Sequence, residues 1–388
     1  MRVPARRSVR ARIGGLMSAL HLRFPRTTIV RIVPVVAGVV LAGSALTGCD
    51  PPPHAVPVIT GVNFPSGFFV TPDNTKIWYS ERFTGEIHRR NLQTNNDVLV
   101  FTVPNLLTSG EQGLLGVALH PNYPASPYLY AYATRDAGGG VARNQVLKIT
   151  ISNGVGVASQ VIFDASAGSF HNGGRIHFGP DGMLYIVVGE NTVPANAQDL
   201  SATNKAGKIH RITPEGAVPS DNPIAGNTIW AYGIRNSFGF GFDPTNGQLW
   251  VNDNGPECND EVDRIVKGGN YAWGPHETCG GPLVAPDNTN QDGPLPQRKP
   301  RHFYASTIGI TGLGFCSSCG AGSLVEGALL VASYNNGQIH RLTLNAGRTG
   351  VVGDDLLYDH TSNVLALETR AGQPVYFSDP SAIYRLAL

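Results

Sequence analysis

Between residues 171 and 190 the chain passes from a polar loop into a short apolar run at 175–178. It then turns at Pro180, Asp181 and Gly182 and returns through a second apolar run at 184–188. Proline pre-sets the φ of the first turn position and glycine takes the positive φ that other residues adopt only at a cost, so the pattern predicts a β-hairpin with a polar mouth. A third strand follows at AGKIHRIT, residues 206–213.

The same alternation recurs along the chain. Further copies begin at GFFVTPDNTKIWYSERFTGEIHRRNL from Gly67, at LGVALHPNYPASPYLYAYATR around Gly116 closing with NQVLKITI, and at FGFGFDPTNGQLWVNDN from Phe238 closing with DEVDRIVKG. TGLGF from Thr311 with GALLVASYNNGQIHRLTL is another, and NVLALETRAGQPVYFSDPSAIYRLAL ends the chain at Leu388. Strand, turn, strand and a third β-branched strand thus repeat six times at spacings of roughly 45 to 75 residues, the signature of a radial β-repeat. A fourth strand is available in residues 97–103, 159–165 and 228–234. The predicted fold is all-β, a six-bladed β-propeller of four-stranded antiparallel blades over residues 58–388. A two-sheet sandwich would use the same strands but gives no reason for six similar units.

Composition sharpens this picture in two places. With 47 Gly, 28 Pro and 15% charged residues, the chain suits many short strands and turns rather than long helices. A net charge of +1, from 29 Lys+Arg against 28 Asp+Glu, gives no case for nucleic acid as a partner.

The basic excess lies at the front, where residues 1–31 are rich in Arg and free of acids, and the apolar run IVPVVAGVVLAGSAL follows. That is a secretory n-region and h-region, short for a membrane span. Leu46-Thr47-Gly48-Cys49 then resembles the bacterial lipobox. The resemblance implies removal of residues 1–48, lipidation of Cys49 and an exported protein anchored on the extracytoplasmic face of a bacterial membrane. Residues 49–57, with Pro51, Pro52 and Pro53, read as a stiff tether. Outside the cytoplasm the remaining four cysteines read as disulfides, with spacing that favours Cys316 with Cys319 and Cys258 with Cys279. The CxxC pair also suits zinc.

In a propeller the residues just before each innermost strand crowd one mouth of the channel. Here these are Phe64-Pro65-Ser66, Glu111-Gln112, His171-Asn172, Arg235-Asn236, Ile310-Thr311 and Ser362-Asn363. A carboxylate, an imidazole, a guanidinium and several amides therefore converge, with His171 the natural proton acceptor and Arg235 able to polarise a developing oxyanion. His120, His177 and His210 fall within or beside strands and read as structural.

GLLGVALHPNY, HNGGRIHFGPDG, AGKIHRITPEGAVPSDNP, YGIRNSFGFGFDP and NGPECNDEVDRIVKGGNYAWG, in that order, resemble the soluble quinoprotein aldose dehydrogenases of the glucose/sorbosone dehydrogenase group. The resemblance implies oxidation of a sugar hydroxyl with pyrroloquinoline quinone (PQQ) and calcium as cofactors. By position, His171 would take the hydroxyl proton as hydride passes to the quinone, and Arg235 and Asn236 would hold the quinone oxygen. Glu111 and Asn172 would line the cofactor pocket. The carbonyls of Gly255 and Pro256 would ligate the cofactor's calcium, and Glu261 and Tyr271 a second calcium, hard oxygen donors of the kind calcium takes.

The family holds the PQQ carboxylates with a Lys and two Arg; here Asn335 stands at the Lys position, and residues 360–363 contain no Arg. Two other functions fit the same sequence. One is a calcium-dependent lactonase using Glu111, Asn172, Asn236 and Asn363; the other is a non-catalytic propeller that binds glycans or protein. Neither the sugar nor the electron acceptor is legible.

Overall fold

The computed structural model describes residues 52–276, 279, 292–320 and 322–388. The signal segment and Cys49 lie outside the described residues, as does the whole segment between Cys279 and Asp292.

Six four-stranded antiparallel sheets account for all 24 strands among the described residues. Blade 1 is β2 (Phe68–Val70), β3 (Lys76–Ser80), β4 (Glu86–Asn91) and β5 (Asp97–Thr102). Blade 2 is β6 (Leu114–Leu119), β7 (Tyr128–Asp136), β8 (Ala142–Ser152) and β9 (Val155–Ser166). Blade 3 is β10 (Ile176–Phe178), β11 (Leu184–Val188), β12 (Lys208–Ile212) and β13 (Ile229–Tyr232), with one turn of 3-10 helix, Pro194–Gln198, before β12. Blade 4 is β14 (Phe240–Phe242), β15 (Leu249–Asp253), β16 (Cys258–Arg264) and β17 (His302–Ser306). Blade 5 is β18 (Ile310–Phe315), β19 (Leu329–Ser333), β20 (Gln338–Leu344) and β21 (Val351–Asp359).

Blade 6 takes β22 (Ala366–Glu368), β23 (Tyr376–Ser378) and β24 (Ala382–Ala387) from the end of the chain. Its outermost strand, β1 (His54–Thr60), comes from the other end of the propeller sequence. Pairing of β1 with β24 closes the ring and covers a strand edge that would otherwise stand open. This corrects the tether expected over residues 49–57, because His54, Ala55, Val56 and Pro57 already belong to a strand. Pro57 is tolerated because the ladder shifts register between it and Ile59, where its missing N–H is not needed.

The core is divided among the blade interfaces, one apolar cluster for each neighbouring pair of sheets. Trp78, Leu129 and Leu147 pack between blades 1 and 2, and Tyr132, Val146 and Ile186 between blades 2 and 3. Val187, Ile209 and Val251 pack between blades 3 and 4, and Trp250, Leu313 and Val331 between blades 4 and 5. Leu330, Phe377 and Leu386 fill the next interface, and Ile59, Phe68 and Tyr376 the last. At the centre the inner strands approach too closely for side chains. A Cβ on Gly116 would fall 2.3 Å from the Gly174 carbonyl oxygen, and one on Gly239 would fall 2.6 Å from that of Thr311. Both expected disulfides form, Cys258 to Cys279 and Cys316 to Cys319.

Ile59 is 1% exposed and anchors the closing strand. Truncation to alanine removes buried methyl groups at an interface to which both β1 and the last strands contribute, and Ile59→Ala is expected to cost about 2–5 kcal/mol. Urea unfolding of the two proteins checks this.

Candidate active site

Antiparallel pairing brings the start of each inner strand and the end of the second strand to the same side of a blade, so the upper mouth of the channel is built from both. A cavity of about 420 Å³ opens there. Its wall includes Ser66, Glu111, His171, Arg235 and Asn236 from the loops leading into inner strands, and Thr311 from the start of β18. Arg82, Asn254, Tyr334 and Asn335, which follow second strands, complete it. The positional rule read from the sequence therefore finds the first set; of the second, Asn335 was reached only through the family resemblance, and Arg82 and Tyr334 were missed because the rule considered one end of the hairpin.

His171 sits in the left-handed region at φ 57°, a strained backbone for a non-glycine residue. Its backbone is held on both sides: the N–H donates to Glu111 Oε2 at 2.8 Å, and the carbonyl accepts the Asn191 N–H at 3.1 Å. Its ring Nδ1 lies 2.6 Å from Oε1 of Glu190, which is 1% exposed and also accepts the Val193 N–H at 2.7 Å through Oε2. A carboxylate facing Nδ1 selects the tautomer protonated there and leaves Nε2 with its lone pair. Glu190 follows the second strand of blade 3, as Arg82 and Asn254 follow those of blades 1 and 4, and sequence reading gave it no role.

Arg235 and Asn236 are fixed by one carboxylate. Asp253 accepts the Arg235 N–H at 2.8 Å and the Asn236 N–H at 2.7 Å, and its burial pushes its pKa up to about 7 against the pull of those bonds. The Arg235 guanidinium donates to the Asn254 carbonyl at 3.0 Å and lies 5.3 Å from the centre of the Trp273 ring. Asn236 donates to Glu111 Oε2 at 3.1 Å and accepts the Gly173 N–H at 3.2 Å, which leaves one amide hydrogen.

Asn172 is not brought into the cavity. It is fully buried, its side chain bonded to Gly168 and to Asn144 of β8, because the turn at His171 sends the next side chain into blade 2. Asn363 donates to the Tyr334 carbonyl at 2.6 Å. The ring of Glu111, Asn172, Asn236 and Asn363 that a lactonase would need therefore does not converge. His302 and His360 pair with Asp354 and Asp379 and lie outside the wall.

For calcium the residues are suited. The carbonyls of Gly255 and Pro256 accept no hydrogen bond among the described residues, and the turn is locked by the Gly255 N–H donating to Asp260 Oδ1 at 2.9 Å. The second proposed pair is more divided. Glu261 is 3% exposed, and it shares one face of the β15–β16 ladder with Asp253 and Asp263. Both carboxylate oxygens of Asp263 are buried without a partner, an oxygen-rich setting that a hard cation would satisfy. The Tyr271 hydroxyl is committed to Arg264 and Val266, so only the main chain of Tyr271 is available.

Arg175 forms the floor. Its Nε donates to the Phe238 carbonyl at 2.9 Å and Nη1 to that of Ser66 at 2.8 Å, spanning blades 1, 3 and 4 across the channel. Below it a wider cavity of about 880 Å³ holds His120, His177 and Glu368. His210 is buried between Thr228 and the Lys205 carbonyl, a structural histidine as expected.

Residues 62–381 match the family described as Glucose / Sorbosone dehydrogenase. The chain belongs to this family. Among glucose/sorbosone dehydrogenase relatives, Quinoprotein glucose dehydrogenase B of Acinetobacter calcoaceticus is 30% identical over 246 residues, 56% of this chain and 51% of that protein. Aldose sugar dehydrogenase YliI of Escherichia coli (strain K12) is 35% identical over 182 residues, 44% of this chain and 48% of that protein. The matches span about half the length of these curated relatives. The solved PQQ-bound form of aldose sugar dehydrogenase from Streptomyces coelicolor has a TM-score of 0.73 at 25% identity, covering 87% of this chain and 99% of that one.

Burial in the channel pushes Glu368 up to about 8, against the pull of Arg175 and Arg370. An unfolded Glu titrates near 4.3, so between about pH 4 and pH 8 the folded state holds one more proton and its stability falls as pH rises. Denaturation midpoints measured from pH 5 to 8 are expected to decline in the native protein and to stay flatter in Glu368→Gln.

Proposed function

We propose that the chain is a PQQ-dependent sugar dehydrogenase that oxidises an aldose hydroxyl. The observation that carries this reading is the His171–Glu190 pair sharing one cavity wall with Arg235 and Asn236, in a chain of this family. When bound, the quinone supplies the hydride acceptor. Arg235, Asn236 and the Gly255–Pro256 turn line the part of the wall suited to hold it and its calcium, with Glu261 and the Tyr271 main chain suited to a second ion.

The chain's own contribution is proton handling and charge. Nε2 of His171 takes the hydroxyl proton while Glu190, on Nδ1, steadies the imidazolium that results, the division of labour between a base and its orienting carboxylate. Arg235 sets a fixed positive charge beside the reacting centre, and the bonds to Asp253 and Asn254 keep it from reorganising as charge develops. The sugar enters from the mouth, whose rim carries Phe64, Phe170 and Tyr334.

We further place the enzyme outside the cytoplasm, held to the membrane by acyl chains on Cys49 and passing electrons to an acceptor on that side. The lipobox-like Leu46–Cys49 motif and the two disulfides support this placement.

Purified protein mixed with PQQ and calcium is expected to reduce a redox dye when an aldose is added. His171→Ala should lower that rate by about 10²–10⁴-fold while the fold survives. Glu190→Gln should lower it as well, with PQQ binding retained. Absence of PQQ binding at micromolar concentration, read from the quinone's absorbance with and without calcium, would refute the proposal.

A further inference from the structure

Three arginines and no lysine line the upper cavity among the described residues. Two of them have much of their donor capacity spent on the protein: Arg175 bridges two carbonyls at the floor, and Arg235 is bonded to Asn254 beside Trp273. Across the mouth, Thr307, Thr311, Tyr334 and Asn335 are neutral. The remaining cation is Arg82, at the end of the blade 1 hairpin.

Arg82 is held from behind and open in front. Nε donates to the Gln112 carbonyl at 3.1 Å and Nη2 to that of Gly110, which leaves Nη1 without a protein partner. The guanidinium lies 5.0 Å from the Phe64 ring centre and 4.7 Å from that of Phe83, contacts that fix its plane. Gly113 makes room for it, since a Cβ there would fall 2.5 Å from Arg82 Cγ. Glu111, the nearest acidic wall residue to act on it, is bonded instead to the His171 N–H and the Asn236 amide. Among the described residues Arg82 therefore has no ion-pair partner.

We propose that Arg82 is the anion anchor of the cavity and receives a carboxylate of bound PQQ through Nη1. This rests on the PQQ reading above and gives it a direction: the acidic side of the cofactor faces blade 1, away from the neutral wall at Asn335. A planar guanidinium already fixed on two edges is well suited to a carboxylate, and the bond is charge-assisted.

The test is an equilibrium titration with PQQ and calcium, followed by the quinone's absorbance, on the native protein, Arg82→Gln and Arg82→Lys. Circular dichroism and melting curves check that each variant is folded. Arg82→Gln is expected to weaken binding by about 10- to 100-fold, and Arg82→Lys by less. The gap between native and Arg82→Gln should also narrow as salt rises from about 0.05 to 0.5 M, because a half-exposed ion pair is screened. Binding by Arg82→Gln within twofold of native would overturn the assignment and leave the dehydrogenase reading standing. A loss equal in Gln and Lys and insensitive to salt would also overturn it, by showing that Arg82 is only a strut for the loop at Gly110. Failure of the native protein to bind PQQ would overturn both.

Discussion

One carboxylate oxygen holds the mouth of this propeller together. Glu111 Oε2 accepts the backbone N–H of His171 and the amide of Asn236, residues 60 and 125 positions away in sequence. Glu111 leads into blade 2, His171 into blade 3 and Asn236 into blade 4, so a single half-buried acceptor fixes three blades relative to one another. It also stabilises the left-handed turn at His171 that aims the imidazole into the cavity. Hydrogen bonds to a carboxylate are among the stronger polar contacts a protein makes, and leaving the amide of the buried Asn236 unpaired would carry a desolvation penalty.

The layers behind this contact follow the same logic. Glu190 stands behind His171 and Asp253 behind Arg235 and Asn236, so each group facing the cavity is oriented by a buried carboxylate. Arg175 closes the floor and separates the site from the wider cavity beneath it. The positive charge of the wall is gathered on blades 1, 3 and 4, while the blade 5 side, where Tyr334 and Asn335 lie, is neutral. An anionic ligand in this cavity would meet the positive charge on one side only.

Much of this was legible in the chain because repetition and turn chemistry are local. Pro180-Asp181-Gly182 between two apolar runs specifies a hairpin, and six such units specify a ring. The closing strand was not legible. His54–Thr60 carries β-branched Val56, Val58, Ile59 and Thr60, but Pro57 and the preceding run of prolines mask that signal, and its partner β24 lies at the far end of the sequence. Glu111, His171, Arg235 and Asn236 could be found because topology places them just before inner strands. Asn172, one residue on, could not be oriented without knowing that His171 adopts positive φ. Glu190 and Arg82 were hidden for a different reason: they follow second strands, and their roles depend on contacts across blades. The complementary rule, that residues after the second strand share the mouth, would have found both.

In the proposed reading His171, Arg235 and Arg82 face one cofactor in one cavity. A crystal structure of the protein grown with PQQ and calcium tests it most directly. The account predicts the planar quinone in the upper cavity, its carbonyl side toward His171 and Arg235, a carboxylate on Arg82, and an ion on the carbonyls of Gly255 and Pro256. Quinone density in the lower cavity beneath Arg175, or an upper cavity that stays empty at saturating quinone, would contradict it.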